Sequence, residues 1–203
     1  VIGDIECRSR YESNGAVLTT TVRSGQKYGF YKSRQCHFHV PGKLLAQTVA
    51  IYPCVGTNLP IFGSEYLEIG QKSFAAVDFH PSAGPLTDFG HLVEVFPPRP
   101  TLTSRHYDLD LWFGPLLWLE RGEEELIERF ESEYEARLRE YYRLLNRNLH
   151  LRTGIPPGHE GFNQYMAAND PARGIIAAYF GRSFSDEYLR RVLFSQKNSS
   201  VVS

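Results

Sequence analysis

This 203-residue chain is poor in most of the features that mark a metal cluster, a membrane span or a polyanion binder. Its three cysteines, Cys7, Cys36 and Cys54, are odd in number and widely spaced, which argues against a disulfide framework and fits a reducing compartment. Lys and Arg total 22 against 23 Asp and Glu, a net charge of −1, so bulk charge points neither to nucleic acid nor to an acidic tail. No apolar run approaches the roughly 18–20 residues that cross a bilayer. Val1-Ile2-Gly3-Asp4 lacks the basic and apolar regions of a signal peptide, and a start without Met leaves room for a trimmed upstream segment. There is no Gly-rich phosphate loop, CxxC pair, nucleophile elbow or flavin fingerprint. An enzyme built on this chain must therefore work without an obvious resident cofactor. No repeat or low-complexity tract occurs either, and Ser199–Ser203 reads as a frayed tail. The expectation is a soluble intracellular or organellar protein. With 42% hydrophobic residues it is long enough for one core, in a single domain over residues 1–203.

Strand signals fill the first half. Ala16–Arg23 ends at the turn Ser24-Gly25-Gln26, and Lys27–Val40 alternates Tyr, Phe and His before Pro41-Gly42. Ala46–Tyr52 is a short apolar strand. Ile61–Ile69 and Lys72–Phe79 flank Gly70-Gln71 as a tight hairpin. Ser82–Pro85 is loop, and His106–Leu119 suggests one more strand, broken near Gly114-Pro115. The second half turns helical. Over Glu123–Leu149, residues Leu126, Ile127, Phe130, Tyr134, Leu138, Tyr141, Tyr142, Leu145 and Leu149 form one stripe at steps of three and four. Glu123–Glu125 at its start and Arg143 and Arg147 near its end suit the helix dipole. Gly154–Gly161 reads as loop, and two helices follow, about Pro171–Phe180, stopped by Gly181, and about Asp186–Phe194. Strands first and helices afterwards indicate α+β, an antiparallel sheet covered by helices.

Asp78 is the most informative single residue. It closes the apolar run Ser73-Phe74-Ala75-Ala76-Val77-Asp78-Phe79-His80-Pro81, a strand covered on both faces. An isolated buried carboxylate is costly, so it must be paired, protonated or used. The hairpin puts it opposite Gly63, within a residue or so, and alternation places Phe74, Ala76, Asp78 and His80 on one face. Small neighbours leave room for something flat. On local pattern alone the reading that leads is a strand-end Asp bonded to a turn, to His80 or to an arginine. Asp170, in Asn169-Asp170-Pro171-Ala172-Arg173-Gly174, reads as a helix cap with Pro at the first helical position, contributing about 1 kcal/mol. His37-x-His39 has a spacing used by metal sites, but no third ligand stands at a suitable offset. A metal-dependent oxygenase is thus the weakest functional class. The arginines of the long helix alternate with glutamates and read as a solvated face with i,i+4 pairs.

Three blocks together resemble the ferredoxin-dependent bilin reductases, which reduce biliverdin to phytobilins. The first is Ile51-Tyr52-Pro53, a spacer, and Leu59-Pro60-Ile61-Phe62-Gly63. The second is Phe74–Pro81. The third is Tyr165–Gly174, followed by Tyr179-Phe180-Gly181 and by Tyr188–Phe194. Order and spacing hold from about Ala16 to Phe194, a core of about 16–195.

The resemblance implies a three-layer α/β/α sandwich with a central antiparallel sheet and a substrate slot between sheet and C-terminal helices. It implies that Asp78 is the central-strand aspartate that gives a proton to the bilin during radical, electron-coupled reduction. Asp170 then matches the aspartate of the C-terminal helical side, and Arg173 stands where it could meet a propionate through charge-assisted hydrogen bonds. Electrons would come from a reduced [2Fe–2S] ferredoxin, with no bound metal or flavin. The basic docking face for it would draw on Lys72, Arg121 and the long-helix arginines. A monomer is expected, free of membrane and nucleic acid, in a cyanobacterial or phage-infected cytoplasm or the plastid stroma. Phycocyanobilin-forming members carry a Glu and a His on the strands before the catalytic one, where this chain is expected to have Ala50 and Phe62. The Asp170-Pro171-x-Arg173-Gly174 block and the short chain look more like the phycoerythrobilin-forming branch. The expected reaction is therefore biliverdin IXα, or 15,16-dihydrobiliverdin, going to phycoerythrobilin. Asp78 would serve the 15,16 methine bridge or a shared protonation, and Asp170 the A-ring diene. The alternatives are a non-catalytic bilin carrier and a chlorophyll-catabolite-reductase-like enzyme on the same fold.

Overall fold

The computed structural model describes residues 6–25, 28–54, 58–81, 89–96, 98, 113–122, 125–147 and 155–195. Within them seven antiparallel strands lie side by side in chain order: β1 (Glu6–Ser13), β2 (Ala16–Gly25), β3 (Phe30–Val40), β4 (Leu44–Pro53), β5 (Ile61–Ile69), β6 (Lys72–His80) and β7 (Trp118–Gly122). The helices are α1 (Gly90–Val95), α2 (Leu126–Arg147), α3 (Gly158–Asn169), α4 (Ala172–Phe180) and α5 (Arg182–Tyr188), the last running into a π-turn over Leu189–Leu193. None of the described helices is long and apolar enough to cross a membrane.

Strand alternation divides the core in two. One sheet face presents Phe62, Tyr66, Ala75, Val77, Phe79 and Trp118 to α2, which answers with Leu126, Phe130, Tyr141, Leu144 and Leu145. The other presents Leu18, Cys36, Phe38, Ala50 and Tyr52 to Phe162, Met166, Ile176, Tyr188 and Val192 of the C-terminal helices. The result is the expected α+β sandwich of three layers. The hairpin at Gly70 has the expected register, with Ile69 opposite Lys72 and Gly63 opposite Asp78. Gly181, at φ 87°, ends α4 as expected.

Several elements differ from the sequence expectation. Strand β1 reads Glu-Cys-Arg-Ser-Arg-Tyr-Glu-Ser and has no apolar signal. It is a charged edge strand, with Glu6 paired to Arg8 and Arg23 and Arg10 paired to Glu12, a composition that discourages further pairing at the edge. Its turn, Asn14-Gly15, takes positive φ at both residues, the conformation that Asn-Gly favours in hairpins. Helix α3 replaces part of the expected loop. Its buried residues His159, Phe162, Asn163, Met166 and Ala167 recur at i, i+3, i+4, i+7 and i+8, a stripe masked by its polar members and by the Pro-Gly run before it. The last helix starts at Arg182 rather than Asp186. Most of the expected strand His106–Leu119 and the residues Glu123, Glu124 and Leu149 lie outside the described residues. On α2 the expected solvated face is interrupted at Arg137, which is 2% exposed. It pairs with Glu133 and lies 4.7 Å from the centroid of Phe96, so its guanidinium is stacked inside the core.

Two basic residues of β3 hold the C-terminal chain against the sheet. Lys32 donates to Ser195 O and Arg34 Nη1 to Leu193 O. Burial, with Arg34 beside it, lowers the Lys32 pKa to about 7. On α3, His159 is wholly buried, with Nδ1 2.9 Å from the Tyr31 hydroxyl, and burial lowers its pKa to about 3. The unfolded chain, with an ordinary histidine near 6.5, takes up a proton that the fold refuses. The stabilisation from neutral His159 is therefore full above that value and is lost as the pH falls toward 3. Between about pH 4 and 6, urea stability of the wild type is expected to fall more steeply than that of His159→Phe, by up to about 1.4 kcal/mol per pH unit. Equal slopes would show that His159 is protonated in the native state.

Candidate active site

Two rows of residues cross the face of the sheet that meets the C-terminal helices. One runs Arg34, Ala50, Gly63, Asp78 and the next Cys36, Thr48, Glu65, Ala76, each residue paired with its neighbour on the adjoining strand. With strands spaced about 4.8 Å apart, Arg34 and Asp78 stand at opposite ends of a floor made by Ala50 and Gly63. Side chains this small leave a flat surface between a cation and an acid.

Asp78 is 2% exposed. Its Oδ2 accepts the Gly114 backbone N–H at 2.9 Å and lies 3.1 Å from His80 Nδ1. Its Oδ1 is buried with no hydrogen-bond partner. With Oδ2 occupied, a proton carried by this carboxyl belongs on Oδ1, the oxygen left for a ligand. The pairing with His80, one of the alternatives the sequence leaves open, is thus present, and it leaves half of the carboxyl unused. Two glycines make this geometry. A Cβ on Gly63 would fall 2.5 Å from His80 Nε2, so the imidazole fills the space of the missing side chain. A Cβ on Gly114 would fall 2.1 Å from Phe79 O, so only glycine brings its N–H to Asp78. The His80 ring is packed against Phe162 and Phe113, with centroids 4.9 and 5.1 Å away.

Asp170 enters at the junction of α3 and α4. Its Oδ1 accepts the Ala172 N–H at 2.8 Å, the expected cap. Burial raises its pKa, while that N–H, Arg34 and Arg173 pull it down. Arg173 is half-exposed and bonds to Asp186 and to Ala167 O, which ties α3, α4 and α5 together. The charge of Asp170 is felt by Glu65, whose carboxyl is pushed up to about 7 by burial first and by Asp170 second, against the pull of Arg34. The field places Arg34, Glu65 and Asp170 in one electrostatic group, with Asp78 along the floor.

The structure corrects one expectation. Phe62 points to the opposite face and packs on Tyr141 and Phe79. The residue between Ala50 and Asp78 is Gly63, so neither position carries a polar side chain. Arg34 and Glu65 were not singled out from sequence. Glu65 could have been found by counting two residues along β5 from Gly63. Arg34 had no comparable signal, since its strand reads Lys-Ser-Arg-Gln with no clear alternation. His37 and His39 lie on the other face, their rings 6.1 Å apart, and among the described residues no three His, Cys, Asp or Glu side chains form a metal-sized group.

Comparison with known proteins gives the family and the fold. A family model described as ferredoxin-dependent bilin reductase matches residues 5–195. The chain is 26% identical over 208 residues to the 15,16-dihydrobiliverdin:ferredoxin oxidoreductase of Prochlorococcus marinus (strain MIT 9303), covering 93% of this chain and 81% of that protein. It is 27% identical over 194 residues to the protein of the same name from Parasynechococcus marenigrum (strain WH8102), covering 87% and 83%. Among solved structures, tomato phytochromobilin synthase in complex with biliverdin superposes with a TM-score of 0.69 at 14% identity, over 95% of this chain and 76% of that one.

Proposed function

Since the chain belongs to the ferredoxin-dependent bilin reductases, we propose that it reduces biliverdin IXα or 15,16-dihydrobiliverdin to phycoerythrobilin, with electrons taken singly from a reduced [2Fe–2S] ferredoxin and no resident flavin or metal. The observation that carries this reading is Asp78 Oδ1, a buried acid oxygen without a partner at the end of a flat, small-residue floor. A planar, extended ligand fits such a floor, and a carboxyl that keeps one oxygen free can pass a proton to it. The names of the relatives supply the substrate class and the electron donor.

Each double bond reduced consumes two electrons and two protons. In the proposed order Asp78 serves the 15,16 methine bridge and Asp170, whose raised pKa favours the acid form, serves the A-ring diene. Arg173 meets a propionate by exchanging it for Asp186, a trade between two carboxylates that leaves its charge paired. The absence of polar side chains at Ala50 and Gly63 supports a reaction that does not extend to the D-ring vinyl group.

Anaerobic assay with reduced ferredoxin, followed by absorbance and chromatography of the products, tests this directly. Asp170→Asn is expected to convert biliverdin to 15,16-dihydrobiliverdin and stop, with the second step slowed by about a hundredfold or more. Formation of phycoerythrobilin by this variant at the wild-type rate would remove Asp170 from the mechanism. A wild-type protein that binds bilin and leaves both substrates unchanged would be a carrier.

A further inference from the structure

The face of the sheet turned away from the slot is only partly covered by the described residues. Helix α2 packs on β5, β6 and β7, and beside it, over β3 and β4, lies a cavity of about 480 Å³. Two cross-strand rows make its floor, His37, Gln47 and Tyr66 in one, Gln35, Val49 and Ser64 in the other. Strand alternation puts these residues on the face opposite Arg34, Ala50 and Gly63, so the cavity is separate from the slot. Helix α2 supplies the wall. The Phe130 ring lies 5.4 Å from that of Tyr66 and 5.8 Å from that of Tyr134, centroid to centroid, and the three form one aromatic panel. Glu131 and Glu135, spaced i, i+4, stand together on the rim.

Charge decides what such a cavity can hold. Among the described residues no lysine or arginine lines it. Burial and the neighbouring His39 lower the pKa of His37, so its imidazole is neutral at pH 7. The ion pairs along α2 leave the two rim glutamates out: Arg129 takes Glu120 and Glu125, Arg137 takes Glu133, and Arg143 takes Glu140. Among the described residues neither Glu131 nor Glu135 has an ion pair or a side-chain hydrogen bond. Like charges at i, i+4 repel, and a cation between them removes that repulsion. The amides of Gln35 and Gln47, both exposed, add carbonyl oxygens that can accept from N–H groups. An anion, the carboxylates of a tetrapyrrole included, would meet only charge of its own sign.

We propose that this cavity is a second ligand site, which takes a small planar organic cation of the amidine or guanidine class. The N–H groups of the cation bond to Glu131 and Glu135, side by side as a planar donor pair allows. Its flat body lies against Val49 and Tyr134, both half-buried, where the ring face attracts positive charge. The volume falls within the range of about 300–1,000 Å³ usual for small-molecule sites. This site goes beyond the bilin chemistry and does not depend on it.

Calorimetric titration of the intact protein with benzamidine, benzamide and benzoate tests the assignment, because the three share one shape and differ in charge. Benzamidine is expected to bind with a dissociation constant of about 1 mM or below. Benzamide should bind at least about fivefold more weakly, and benzoate should give no signal up to about 10 mM. Glu131→Gln and Glu135→Gln should each weaken benzamidine by about two- to fivefold, and the double variant by about tenfold. Both residues are exposed, so the thermal midpoint should stay in place. Saturating biliverdin should leave the benzamidine affinity within twofold. Three results overturn the proposal: benzoate binding as well as benzamidine, no benzamidine signal at about 10 mM, or a double variant within twofold of wild type. Displacement of benzamidine by biliverdin also overturns it, since the cation would then lie in the slot.

Discussion

Asp78→Asn is expected to bind biliverdin as the wild type does and to turn it over about a hundred- to ten-thousandfold more slowly. Asparagine keeps the shape of aspartate. Its carbonyl can still accept the Gly114 N–H, so the contact at 2.9 Å survives. What changes is the second position, where a carboxyl oxygen able to carry a proton becomes an amide that cannot give one up. Electron delivery does not depend on that atom. Ferredoxin should still reduce the bound bilin by one electron, and the unprotonated radical should persist long enough to appear in absorbance and electron paramagnetic resonance. Folding should be little affected, since the substitution removes a buried ionisable group and keeps the volume. Activity within a few-fold of wild type would show that the free Oδ1 is not the donor.

Gly114→Ala should damage the fold and the site together. A methyl group at this position would meet Phe79 O at 2.1 Å and Asp78 Oδ1 at 3.1 Å. The first contact is with backbone inside the sheet, which cannot turn aside as a side chain can. The segment carrying Gly114 must therefore move off β6, taking the N–H from Asp78 and exposing Leu116 and Leu117, which are 0% and 5% exposed. Overpacking of a tight site costs about 1–3 kcal/mol. Leaving the buried carboxyl oxygen without its donor adds about 1–3 kcal/mol. A fall of about 3 kcal/mol or more in urea stability is expected, with a rate loss of at least about tenfold from the misplaced carboxyl. Wild-type stability and rate in this variant would mean that the segment moves freely and that Asp78 does not need its donor.

Much of the scaffold is legible directly. The β5–β6 hairpin, the stop at Gly181 and the cap at Asp170 each depend on a few adjacent residues whose chemistry allows little choice. Asn14-Gly15 is equally legible, and only the charged character of β1 hides the strand before it. Helix α3 escapes notice because a histidine and an asparagine occupy core positions in its stripe, and polar residues there look like loop until Tyr31 and Tyr52 are seen to satisfy them. Arg137 is misplaced for the opposite reason. A guanidinium looks solvated in a row of charges, and only the ring of Phe96 beneath it accounts for its burial.

Asp78 itself is legible as a residue that must be paired, protonated or used, because a carboxylate is too costly to bury alone in an apolar run. Residue order alone carries strand alternation, turn chemistry and the family likeness, and these establish the sheet and its hairpin and single out the aspartates. The tertiary structure decides which groups share the slot. A shift of one residue turns a strand side chain to the other face, and that is the difference between Phe62 in the core and Gly63 on the floor between Arg34 and Asp78. Arg34 and Asp78 occupy one row only because the registers of two intervening strands align them. The charge of Asp170 reaches Glu65 only because the C-terminal helices pack on the sheet face that carries it. Register and packing sum contacts between distant parts of the chain, and no local stretch of sequence contains that sum.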